Sequence, residues 1–330
     1  MLPMKTWPMN KWLGALIALP CLCGGAAAQT YPVRPITMIV AAAPGGVTDI
    51  VGRALGQQLG KTWGQPVVIE NRGGAANILG TEAVARAAPD GYTLLVVEAG
   101  AFTINPTLYK NKLPYDPEKD FAPITGLVRI NQAVLATKSL PVATAGDLIA
   151  LAKQKPGQLT YGTAGIGTAP HMNMALFASM AGIKLVAVHY RGAAPALDDL
   201  LGGHVDLMVV GASLALPSVK AGQVKMLGIG SEKRLPQLPA VPTIAETGLP
   251  GYEAGTWFGL FAPAGTPHDI VMKIDDEVQH VFADPAFRSR FLDPQMYESI
   301  AGPPDKFAAY IKAEQAKWSK VIREAGIKVE

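Results

Sequence analysis

From residue 36 onward, short apolar runs alternate with segments of helical periodicity, and that alternation restricts the chain to sheets with helices packed on their faces. Residues 36–41, 66–70 and 92–97 read as strands, with helices expected at 48–61 and from the segment "NRGGAAN" to about residue 87. After two strand-like runs in "APITGLVRINQAVLATKS", a second series begins. It comprises helices at 145–155, 169–182, 194–201 and 214–221, with strands at 159–161, 185–190, 205–210 and 224–230. The tail supplies a strand at 257–262 and helices at 268–283 and 305–325. This order predicts an α/β chain with mostly parallel sheets, helices on both faces, and a second domain inserted in the first. We assign residues 29–127 plus 234–330 to domain 1 and 128–233 to domain 2. Two crossings, near 126–132 and 229–236, make a hinge, and a hinged cleft closes on a ligand.

Residues 1–28 read as a secretory signal peptide: Lys5 and Lys11 give a positive start, an apolar stretch follows, and Ala26, Ala27 and Ala28 precede Gln29. Export of the mature chain, residues 29–330, is therefore expected. Cys21 and Cys23 are the chain's two cysteines, so the mature form is expected to have no thiol, disulfide or sulfur-ligated metal. Pro20 and Leu22 are poor neighbours for a lipidated cysteine. Removing Lys5 and Lys11 leaves 27 basic against 26 acidic residues, without a basic stripe, which argues against a nucleic-acid partner.

Enzyme signatures are weak. "GASLA" resembles a nucleophile elbow around Ser213, but the acid and histidine that follow it, Asp269 and His280, share one helix far along the chain. A secreted serine hydrolase is thus a remote alternative. No histidine cluster has metal spacing, and His171 fits a structural bond to its glycine loop better than proton transfer. "GTAGIG" reverses the dinucleotide spacing, and "NRGGAANILG" lacks the lysine of a phosphate loop, so no cofactor, metal or catalytic residue is expected. Instead, "APGGVTD", "EAGAF", "YGTAGIGTAPH", "YRGAAPA" and "VVGASLA" all follow the carboxyl ends of expected strands, where open α/β sheets bind ligands. Glycine loops leading into helix N-termini favour an anion, and Gly46 and Gly167 are expected to tolerate side chains badly. "NRGGAAN" reads as structural.

The segments "YPVRPITMIV", "APGGVTDIVGRAL", "GQPVVIENRGGAAN", "ARAAPDGYTLL", "INPTLYKNKLPYDPEKDFAPIT", "LPSVKAGQVKML" and "KRLPQLPAVPTIAETGLPGYE" resemble the Bordetella uptake gene family, the periplasmic receptors of tripartite tricarboxylate transporters. The resemblance covers essentially the whole mature chain. It implies a two-domain type II periplasmic binding-protein fold that captures a small carboxylate and delivers it to a membrane permease, with a monomer expected. It also implies ligand contacts at Pro44, Gly45, Gly46, Val47, Thr48 and Asp49, and at Ala101 and Phe102; Glu98, where small residues are usual, is a further candidate contact of this chain. On domain 2 it implies Thr163, Gly165, Ile166, Gly167, Thr168, Arg191, Gly192, Ala193, Gly211 and Ser213. A ligand-sensing partner of a membrane signalling protein would use the same closed form.

Ile166, Val210 and Val47 stand where relatives often carry polar or smaller residues. They suggest a pocket that favours aromatic or apolar mono- and dicarboxylates over hydroxylated ones, since a buried hydroxyl needs a partner. Glu98, at a strand end, is read either as a partner for an amine or protonated ring nitrogen, or as a solvated or arginine-paired carboxylate.

Overall fold

The computed structural model describes residues 31–328. The expected signal peptide, with Cys21 and Cys23, lies outside them. The first series of elements is β1 (Ile36–Val40), α1 (Val47–Trp63), β2 (Val67–Asn71), α2 (Ile78–Ala85) and β3 (Thr93–Glu98). Two short helices follow, α3 (Gly100–Thr103) and α4 (Asn105–Leu108), and then β4 (Phe121–Thr137). The second series is α5 (Ala145–Gln154), β5 (Thr160–Thr163), α6 (Ala169–Ala181), β6 (Val186–His189), α7 (Ala193–Gly202), β7 (Leu207–Gly211), α8 (Ala212–Lys220) and β8 (Val224–Ile229). The tail contains β9 (Gly255–Pro263), α9 (His268–Ala283), α10 (Pro285–Phe287), β10 (Tyr297–Ser299) and α11 (Pro304–Glu324).

The two strand-like runs expected between the series are one continuous strand. β4 pairs with β9 along 121–131 and with β7 and β8 along 132–137, so it belongs to both sheets. Strand order runs β2-β1-β3-β9-β4-β7-β5-β6. Three strands in each half are parallel, as expected, but β9 runs antiparallel to β3 and β4, and β4 antiparallel to β7, so both sheets are mixed.

Each sheet is buried on both faces, which is why its strands read as unbroken apolar runs. Ile36, Met38, Val40, Leu94 and Val96 pack with α1 and α9, whereas Ile39, Ala41, Leu95 and Val97 pack with α2 and the start of α11. In the second sheet Val134, Ala136, Leu207 and Val209 face α5 and α6, and Ala133, Leu135, Met208 and Val210 face α7 and α8.

The return crossing comes later than expected. Ile244, Leu249, Tyr252 and Ala254 pack in the core of the second sheet, and the chain rejoins the first sheet at Gly255. Gly230 N–H donates to Gln132 O at 2.7 Å and Ala254 N–H to Gly230 O at 2.7 Å, binding the crossing segments together. Asn173 of α6 is fully buried and ties them further: its Nδ2 donates to Gln132 Oε1 at 2.5 Å and to Gly255 O at 3.2 Å. α11 also bridges the halves: Phe307 and Ile311 pack with the first sheet, Trp318, Val321 and Ile322 with the second.

Candidate functional site

A cavity of about 170 Å³ lies between the halves. Ala76, Asn77 and residues 98–100 and 103–105 line it from the first sheet, and residues 166–169 and Met172 from the second. Gly255 and Thr256 at the crossing, with Glu314 and Trp318 on α11, complete the wall.

Residues 166–169 form the entry to α6. Gly165 and Gly167 have φ of +130° and +75°, a region that favours glycine. Gly165 N–H donates to Thr163 Oγ1 at 3.1 Å, and Thr168 Oγ1 donates to Gly165 O at 2.7 Å, so both threonine hydroxyls brace the loop. Thr163 is itself buried, with His189 Nδ1 2.8 Å from its hydroxyl.

Gly167 N–H donates to His171 Nδ1 at 3.0 Å, the structural bond expected of this histidine. Burial, assisted by nearby His189, pushes the His171 pKa from 6.5 down to about 4 and keeps the ring neutral as an acceptor. The unfolded chain therefore binds this proton more readily than the folded one between those values, and stability falls as pH drops through that window. From pH 7 to pH 5 the expected loss is about 2 kcal/mol. Urea titrations at the two pH values measure it, and His171→Gln should flatten the dependence by that amount.

The segment after β3 is a helix rather than a loop, and this reassigns its residues. Ala99, Gly100, Thr103 and Ile104 face the cavity at helical spacing. Ala101 and Phe102, expected as contacts, point the other way: Phe102 is 1% exposed and stacks on Phe261 with ring centroids 4.0 Å apart.

Asp49 braces its own loop. Its carboxylate accepts from Gly45 N–H at 2.9 Å, Asn71 Nδ2 at 2.8 Å and Arg53 Nε at 2.9 Å. Burial alone would raise its pKa, but the bonds from Arg53, Gly45 and Asn71 outweigh it and hold the group below the ordinary carboxylate range. Gly46 departs from expectation. Its φ of −77° suits any residue, and an added Cβ would come only within 3.6 Å of Ala43 O. The glycine this loop requires is Gly45, at φ +83°.

Pro44, Gly45, Gly46, Val47, Thr48 and Asp49 lie at the end of β1 outside the cavity wall, because "NRGGAAN" reaches over that strand end. A Cβ on Gly73 would meet Ala43 N at 2.7 Å, and Asn105 Nδ2 donates to Ala76 O at 2.9 Å. Ala75, Ala76 and Asn77 all have positive φ, 48°, 55° and 71°. Left-handed alanines cost roughly 1–2 kcal/mol each, and such strain collects at ligand sites. Alanine carries no left-handed signature, so sequence reading passes over this wall.

Arg191, Gly192, Ala193, Gly211 and Ser213 share the strand-end edge with residues 163–168 but do not line the cavity. Val210 is 3% exposed in the core and Val47, the first residue of α1, packs on the first-sheet core, which leaves Ile166, 47% exposed, as the apolar signature residue in the cavity wall. Asp269 and His280 share a surface groove with Thr62 and Trp63 on the first half, while Ser213 opens α8 on the second. Among the described residues no cluster of three metal-ligating side chains occurs, and no helix is long and apolar enough to cross a membrane.

Among the described residues Glu98 has no arginine partner. It is half-buried in the cavity wall, and Thr256 Oγ1 donates to its Oε1 at 2.8 Å. Burial raises its pKa above the ordinary range, and the Thr256 bond opposes that only in part.

Residues 51–327 match the model of the tripartite tricarboxylate transporter family receptor. BugT of Bordetella pertussis is 33% identical over 318 residues, 96% of this chain and 97% of its own. Rpa4515 of Rhodopseudomonas palustris, solved with adipate, is 36% identical with a TM-score of 0.78, over 90% of this chain and 99% of its own. MatC from the same organism, solved with bound malate, is 35% identical with a TM-score of 0.73, over 88% and 100%. With its periplasmic binding-protein fold and matching sequence over most of its length, the chain belongs to the receptor family of the tripartite tricarboxylate transporters.

Proposed function

We propose that the mature chain is a periplasmic receptor that captures a small carboxylate in the cavity between its domains and presents it to the membrane permease of a tripartite transporter. The observation that carries this reading is the cavity itself: both halves contribute to it, and the N-terminus of α6 opens onto it without a side-chain cap, leaving backbone N–H groups for an anion. The adipate and malate of the relatives support the ligand class. Its volume lies below the roughly 300–1,000 Å³ of drug-sized sites, which favours a small acid. The domains we assign are 29–127 plus 255–330, and 128–254, with the hinge in β4 and at residues 230–255. Export uses residues 1–28, and the receptor acts as a monomer.

The preference for an aromatic or unhydroxylated acid rests on Ile166, since Asn77, Thr103, Asn105, Thr168 and Thr256 offer a hydroxyl partners in the same wall. A thermal-shift screen of mono- and dicarboxylates, each beside its hydroxylated analogue, tests the class. A true ligand at a hundred times its Kd adds about 2.7 kcal/mol and raises Tm by several degrees. A flat response to every carboxylate contradicts the proposal.

A further inference from the structure

The cavity is electrically lopsided. Among the described residues its wall carries two carboxylates, Glu98 and Glu314, and no lysine, arginine or histidine. Glu314 is already served: Lys317 pairs with it, and Trp318 Nε1 donates to it at 3.1 Å. Glu98 has one neutral hydroxyl donor, Thr256. Across from it stands the uncapped N-terminus of the 13-residue helix α6, the positive end of a helix dipole.

With no cation beside it, Glu98 either stays ionised and repels a simple carboxylate seated on that helix end or takes up a proton, the direction in which burial already pushes it. A ligand with a cation at its other end removes the repulsion and neutralises Glu98. We propose that Glu98 recognises a protonated nitrogen, so that the preferred ligands are zwitterions, small carboxylates bearing an ammonium or protonated ring nitrogen, with the carboxylate at the start of α6. This rests on the carboxylate-receptor reading and names the ligand class within it.

The test is calorimetric titration of the mature protein with 4-aminobutyrate against butyrate, and glutamate against glutarate. At least one amino acid should bind about tenfold or more tightly than its partner lacking the amine. Glu98→Gln, which keeps the shape and the Thr256 contact, should remove that preference while leaving the amine-free acid bound as well or better. Glu98→Asp, which keeps the charge, should retain the preference, and melting curves establish that both variants fold. Amine-free acids that bind the wild type as tightly as their amino partners overturn the proposal and leave the carboxylate reading standing, as does a preference that survives Glu98→Gln. Failure of all four acids, together with a flat carboxylate screen, overturns both.

Discussion

Replacing Gly167 by valine is expected to weaken ligand binding at least about a hundredfold while leaving the far-UV circular dichroism spectrum near native. Gly167 sits at φ +75°, where a β-branched side chain is strained. An added Cβ would also come within 2.9 Å of Leu108 Cδ1, on the far side of the cleft. The leucine tip can swing aside, but the strained backbone cannot be relieved that way, so the valine must twist the loop or break its bond to His171, and either displaces the anion-facing start of α6. Gly46→Ala is the matched control: its φ of −77° and open surroundings should leave affinity within about threefold. Isothermal titration on both variants separates the two glycines, and unchanged affinity in Gly167→Val would remove this loop from the site.

Phe102→Ala carries the second large effect, on stability. The ring is buried, stacks on Phe261 and meets Phe121 edge-on with centroids 5.0 Å apart. Truncating a packed phenylalanine costs about 3–5 kcal/mol through lost burial and the cavity left behind. Denaturant unfolding should show that loss, while affinity measured well below the transition should fall less than tenfold, because the side chain faces away from the ligand. A variant of native stability that binds no ligand would return Phe102 to the site.

The apolar periodicity of the chain was sufficient for most elements. α9 spans residues 268–283 as its periodicity predicts, and the strands other than β4 and the unexpected three-residue β10 fall within two or three residues of their expected positions, because burial on both faces leaves a strong apolar signal. β4 read as two runs since polar Arg129, Asn131 and Gln132 interrupt it where it passes from one sheet to the other. The candidate cavity was legible by strand end but not by residue. "EAGAF" marks the right edge, yet only its helical winding decides that Ala99 and Gly100 face the cavity and Phe102 the core. Asn77, Glu314 and Trp318 were missed for a different reason: a left-handed alanine pair and the far end of α11 join the cleft through tertiary packing that no local pattern encodes. Thr256 was likewise silent until β9 was seen beside β3, which brings its hydroxyl to Glu98.

A crystal structure of the mature protein with the tightest acid from the carboxylate screens is the most direct measurement. The ligand is expected between residues 98–105 and 166–169, its carboxylate at the start of α6 and its other end toward Glu98 and Thr256. Density for the acid elsewhere, such as the surface pocket beside Arg129 and Arg288, with the cavity holding only solvent, would contradict it.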